Sequence, residues 1–258
     1  MITVLMYHAI PAGAADEDGA DPHYSVPLAV FARQLRLMAE CGRAPRSVAS
    51  LLAQPGERKA AVGITFDDGH SSNYAAAAML RDVGGSADFF INPSTVGTAN
   101  FLSWGQLREM AGWGMSIQSH GMHHRFLDDL APAEVEAELA DSKRVIEAEL
   151  GRPVTLYAPA GGRQAPGMDA LTRRLGYRQI CSSRVALWND GDAASLDIPR
   201  LAMLQATGEA QLRRWLRQSV LEMSWQRGRY LALRGAKRLL GNGFYVHLRG
   251  ALLRDAAR

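Results

Sequence analysis

Ala60-Ala61-Val62-Gly63-Ile64-Thr65-Phe66-Asp67-Asp68-Gly69-His70 is an apolar run that breaks into two adjacent carboxylates and a glycine. A run of this length bounded by glycine predicts a buried parallel strand. In α/β proteins the loops past such strand ends carry the chemistry. Two neighbouring carboxylates there repel each other and lose hydration, so they imply a cation or a reaction that uses them. An Asp-Asp cap on a strand-to-helix turn is the plainer alternative.

Outward from this strand, apolar runs alternate with helical patterns. Further strands are predicted at Ile2 to Tyr7, Ala87 to Ile91, Ser116 to Ser119, Thr155 to Ala158, Gln179 to Ser183 and Ile198 to Met203. Ser25 and Pro27 start a helix that Gly42 stops, Ser103 caps one over Trp104 to Trp113, and Pro132 opens a long one to Leu150. The Glu-rich outer face of that long helix reads as solvated. Seven strands with helices between them predict an α/β chain folded as an irregular or incomplete (β/α)7 barrel. Motifs after several strands would then meet at its C-terminal mouth.

A second cluster lies at Ser116-Ile117-Gln118-Ser119-His120-Gly121-Met122-His123-His124, where a short strand again ends in polar residues. His120 and His124 are four apart, so a helical turn or a tight loop can aim both imidazoles at one point. Two neutral imidazoles and one carboxylate suffice for an open divalent metal site. Isolated histidines are commonly surface or core groups, but three of the chain's seven within five residues argue against that here.

The 258 residues, 47% hydrophobic and 21% charged, suit one large α/β core. No run approaches a membrane span, and the chain begins directly with a predicted strand rather than a leader, which points to the cytoplasm. Cys41 and Cys181 form neither a CxxC pair nor a disulfide framework. Charge is asymmetric: residues 213–258 carry a net +9 and residues 1–212 a net −6. The division expected is therefore a catalytic barrel over 1–212 and a basic helical extension over 213–258. That extension would pack on the barrel or lie peripherally on an anionic inner-membrane surface. Nucleic acid is not an expected partner, because no binding motif accompanies the charge.

Residues 65–69 and 120–124 together resemble the polysaccharide deacetylase superfamily, carbohydrate esterase family 4. Thr65-Phe66-Asp67-Asp68-Gly69 matches that family's first motif letter for letter, and His120 and His124 match its second, with Gly121 and Arg125 as departures. The resemblance implies that Asp67 is the general base and that Asp68, His120 and His124 hold a divalent metal, with zinc first and cobalt, nickel or iron as alternatives. The third motif survives only in part as Tyr157-Ala158-Pro159-Ala160-Gly161, keeping Pro159 and Gly161 without its arginine and tyrosine. Tyr157, Pro159, Ala160 and Gly161 are its candidate oxyanion and substrate contacts, Ala160 through its backbone N–H.

The family's late-strand histidine is absent between Asp197 and Leu216. A branch acting on biofilm and surface polysaccharides starts with Met-Tyr-His, as Met6-Tyr7-His8 does here, and closing a barrel sets its first and last strands side by side. His8 is therefore the expected acid, and Arg200 the expected replacement for the missing arginine. The implied activity is metal-dependent removal of N-acetyl groups from amino sugars of an oligo- or polysaccharide, in exopolysaccharide biosynthesis or modification. The alternatives are an amide or cyclic-imide hydrolase on a small nitrogen compound, and a catalytically inactive sugar-binding module of a polysaccharide assembly system.

Overall fold

A computed structural model of the chain describes residues 1–13, 19–189 and 195–219, with Glu222, Ser224, Trp225 and Gly228 beyond them. The strands are β1 (Val4–Tyr7), β2 (Ala44–Arg46), β3 (Ala61–Phe66), β4 (Asp88–Ile91), β5 (Ser116–Ser119), β6 (Leu156–Tyr157), β7 (Gln179–Cys181), β8 (Asp197–Ile198) and β9 (Leu201–Ala202). The helices are α1 (Leu28–Glu40), α2 (Val48–Ala53), α3 (Asn73–Asp82), α4 (Trp104–Gly112), α5 (Pro132–Leu150), α6 (Met168–Arg174) and α7 (Glu209–Leu216).

All strand pairs in the sheet are parallel, in the order β8-β7-β6-β5-β4-β3-β1-β9, with β2 pairing beside β3. Only Pro199 and Arg200 separate the two edge strands. One short segment thus pairs with β7 on one side and β1 on the other, and the sheet curls until its edges share it. This is the incomplete barrel expected, with the strand at 198–203 broken into β8 and β9 at a proline that has no N–H to give a ladder. The strand β2 adds to the seven expected. Ala44-Pro45-Arg46 is too short, and interrupted by proline, for periodicity to reveal it.

The alternation of side chains along the strands sorts two layers. Tyr7, Phe66 and Phe89 stand on one face of adjacent strands, with Phe66 and Phe89 stacked at 4.7 Å and Tyr7 edge-on to Phe31 of α1 at 5.2 Å. Their neighbours Thr65 and Phe90 point the other way, to where the Arg200 guanidinium lies. Gly63 lets β3 and β1 approach, since a Cβ there would meet Val4 at 3.0 Å. Val48 and Leu51 of α2 pack with Ile2 and Trp188 in one core cluster. Beneath α2, the fully buried Asp88 accepts from the backbone N–H groups of Val48 and Ala49, and burial pushes its carboxyl up to about 7.

The chain divides into two compact units, Met1–Gln218 and Ser219–Arg258. The first ends six residues past the division expected from charge, because α7 belongs to it. Leu212, Trp215 and Leu216 are buried, Thr3 Oγ1 donates to Trp215 O at 2.8 Å, and Arg43 Nε donates to Leu216 O at 3.1 Å. The rest of the expected basic extension lies largely outside the described residues. No described helix is long and apolar enough to cross a membrane.

Candidate metal centre and active site

The C-terminal ends of β1, β3 and β5 deliver the candidate groups. After β3 the chain turns through Asp68 (φ 73°) and Gly69 (φ 71°), both in the left-handed region. For a non-glycine residue that backbone costs about 1 kcal/mol or more, a strain that clusters at functional sites. After β5 the chain makes a tight loop rather than a helical turn, with Gly121 at φ 88° and His124 at φ 57°. Within this loop His120 and His124 converge, and His123 turns away to pair with Glu138 at 2.8 Å.

His120 Nε2 and His124 Nε2 each lie 3.2 Å from the same Asp68 oxygen, Oδ1. Ligand atoms at about 2.1 Å from one ion, spread over tetrahedral to octahedral angles, stand about 3.0–3.4 Å apart. Both contacts fit that spacing. The donor chemistry fits as well: His120 Nδ1 donates to Ala158 O at 2.8 Å, which fixes the tautomer and leaves the Nε2 lone pair facing Asp68. The three residues thus suit a borderline divalent ion with positions left open. Asn92, which no motif flagged, braces the strand end by donating from Nδ2 to His120 O at 2.8 Å and to Gly121 O at 3.0 Å.

Asp67 lies beside this group, 3% exposed, its N–H bonded to Tyr7 O at 2.9 Å. Arg200 clamps it with two hydrogen bonds, Nη1 to Oδ1 at 2.6 Å and Nη2 to Oδ2 at 2.8 Å. The guanidinium also donates to Thr65 Oγ1 at 3.1 Å and, through Nε, to Ser182 O at 3.1 Å. An arginine after a short strand usually reads as a solvated rim charge, yet this one is 1% exposed. Burial works to raise the Asp67 carboxyl, but Arg200, with His120 and His8, outweighs it and holds the group below the usual carboxylate range.

His8 joins Asp68 and His124 in lining a cavity of about 330 Å³, with Tyr24, His70 and Phe101 among its walls. Its ring packs on Tyr24 at 4.5 Å, and its Nδ1 is buried with no hydrogen-bond partner among the described residues. Burial depresses the imidazole below the ordinary histidine value, and Asp67 and Asp68 oppose this only in part.

The remnant third motif lies farther from that cavity. Ala158 orients His120, Ala160 is buried, and Gly161 approaches Phe126, whose ring stands 6.4 Å from that of His124. The Tyr157 side chain is fully buried, packed edge-on against Tyr177, and does not line the cavity.

Residues 54–180 match the polysaccharide deacetylase family profile. The chain carries a polysaccharide deacetylase domain. YxkH of Bacillus subtilis strain 168 is 29% identical over 184 residues, which cover 69% of this chain and 62% of YxkH. The match therefore spans less than two thirds of that relative. The Streptococcus pyogenes deacetylase PplD, solved in complex with acetate, aligns at a TM-score of 0.71 and 25% identity over 83% of this chain and 97% of PplD. A polysaccharide deacetylase from Bacillus cereus shares the fold at a TM-score of 0.74 and 23% identity, over 83% of this chain and 68% of its own. The deacetylase profile includes Asp67, Asp68, His120, His124 and the remnant third motif. His8 and Arg200 fall outside it.

Proposed function

We propose that this deacetylase domain hydrolyses the N-acetyl group of an amino sugar within an oligo- or polysaccharide, a reading that would place it in exopolysaccharide biosynthesis or modification. The observation that carries it is the convergence of His120 and His124 on one oxygen of Asp68, with a clamped carboxylate, Asp67, as next neighbour. Acetate bound to PplD is the product such a reaction would release.

Asp68, His120 and His124 would hold a divalent ion, Zn²⁺ first among Co²⁺, Ni²⁺ and Fe²⁺, since imidazole and carboxylate donors suit all four. Such an ion supplies Lewis acidity toward the acetyl carbonyl and lowers the pKa of a bound water. Asp67 takes the proton from the attacking water. Its two oxygens are fixed by Arg200, which keeps it ionised at neutral pH at some expense in basicity. The Ala160 N–H would be the backbone donor to the developing oxyanion. The proton that Asp67 takes from the water passes by way of the neutral His8 imidazole to the departing amine, which regenerates the Asp67 carboxylate, and the Tyr24 ring packs against that imidazole.

The test is acetate release from N-acetylated oligosaccharides with and without chelator, comparing wild type with Asp67→Asn and His8→Ala. Chelation and Asp67→Asn are expected to abolish turnover. His8→Ala should lower kcat by about 10²- to 10⁴-fold, the usual worth of a positioned acid. Full turnover after complete metal removal would sink the proposal, and unchanged turnover in His8→Ala would return the acid role to another group.

A further inference from the structure

The loop that presents His120 and His124 is held from outside by one buried acid. Glu138 of α5 is 4% exposed. Its Oε2 accepts from the N–H groups of Met122 at 2.8 Å and His123 at 2.9 Å, and its Oε1 accepts from His123 Nδ1 at 2.8 Å. All three contacts fall on the residues between the two converging histidines. Charge-assisted bonds of this kind are about twice as strong as neutral ones, and a buried carboxylate is retained only when so satisfied.

Gly121 is matched to this acid. At φ 88° it adopts a backbone that side chains resist, and a Cβ there would lie 3.2 Å from Glu138 Oε2 and 3.7 Å from Tyr157 Oη. The family pattern has Ser or Thr at this position. Here the space such a side chain would enter is taken by the Glu138 carboxylate, which meets the loop's amides directly.

We propose that Glu138 is a positioning residue for the ligand loop. By fixing the turn at 121–123 it forces His124 into its left-handed backbone and brings Nε2 onto the Asp68 oxygen that His120 also meets. Gly121 is the residue that makes room for it. The inference rests on the metal-centre reading and deepens it.

The test is Co²⁺ titration of the chelator-stripped full chain, followed by the visible Co²⁺ spectrum. It compares wild type, Glu138→Ala, Glu138→Gln and Gly121→Ala, with amide hydrogen exchange measured at Met122 and His123. Glu138→Ala should weaken Co²⁺ binding by about 10- to 100-fold, as loss of an outer-shell partner does, alter the spectrum and speed exchange at both amides. Glu138→Gln keeps one acceptor oxygen for those amides and should restore most of the affinity. Gly121→Ala should follow Glu138→Ala.

Wild-type affinity and spectrum in Glu138→Ala, despite faster exchange, would overturn the proposal. If Glu138→Ala does not fold, undiminished Co²⁺ affinity in Gly121→Ala overturns it instead. A wild-type chain that binds no Co²⁺ would overturn the metal-centre reading itself, and this inference with it.

Discussion

At the scale of single residues, the Asp67–Arg200 pair has a large energetic stake, because both groups are almost wholly out of water. Removing one partner of such a pair leaves an uncompensated buried charge, worth about 3–5 kcal/mol. Arg200→Met should therefore lower unfolding stability by that amount at pH 7, measured by chemical denaturation. The sign of its pH dependence follows from Asp67. Its carboxyl is depressed in the folded chain, so its contribution is present above the unfolded value near 3.9 and lost as pH falls through the folded one. The penalty of Arg200→Met should accordingly shrink in acid, where Asp67 takes up a proton. An undiminished penalty at pH 3 would contradict this account.

Asp67, Asp68, His120 and His124 could be read from the sequence because each follows an apolar strand, where polar residues have no packing role. The sequence also placed Arg200 as a candidate, but its burial could not be read there, since nothing local separates a guanidinium threaded under a strand end from one in solvent. Glu138 was hidden for a related reason. It sits among the Glu-rich residues of α5, which read as a solvated face. A finer signal was present: Val135, Glu138, Leu139, Ser142 and Ile146 share one helical stripe and are all buried, so a carboxylate stood where the periodicity called for an apolar group.

At the scale of elements, α2 and β4 share an acid with the opposite pH behaviour. Asp88 is raised to about 7 by burial, partly offset by the amides of Val48 and Ala49. A group raised above its unfolded value contributes fully below that value, and the contribution is lost as pH rises through the folded one. Stability should thus decline between about pH 4 and 7 by an amount of the order of 4 kcal/mol. Asp88→Asn, which keeps an acceptor for the helix amides, should flatten that decline in denaturant midpoints measured across the window. An equally steep decline in the variant would remove Asp88 as its cause. The helix boundaries themselves were largely legible: Ser103 caps α4 with Gln106 completing the box, and Pro132 opens α5. Among the described strands, β2, three residues with a central proline, had no sequence signature.

For the whole molecule, the charge step near residue 212 suggested a boundary that packing moves to Gln218. A chain ending at 218 should keep its cooperative unfolding transition. One ending at 212 loses Trp215 and Leu216, each buried side chain worth about 1.5–3 kcal/mol, together with the carbonyls that Thr3 and Arg43 bond. It should unfold at markedly lower temperature by calorimetry. Equal transition temperatures for the two truncations would show α7 to be dispensable.

The segment that joins the sheet's two edges is also the one that carries Arg200. Closing the sheet and fixing the Asp67 carboxylate are in consequence a single event. Under the proposed reading, in which Asp67 takes the proton, a chain whose seam has not formed would lack an anchored acceptor, whatever its histidines had already gathered.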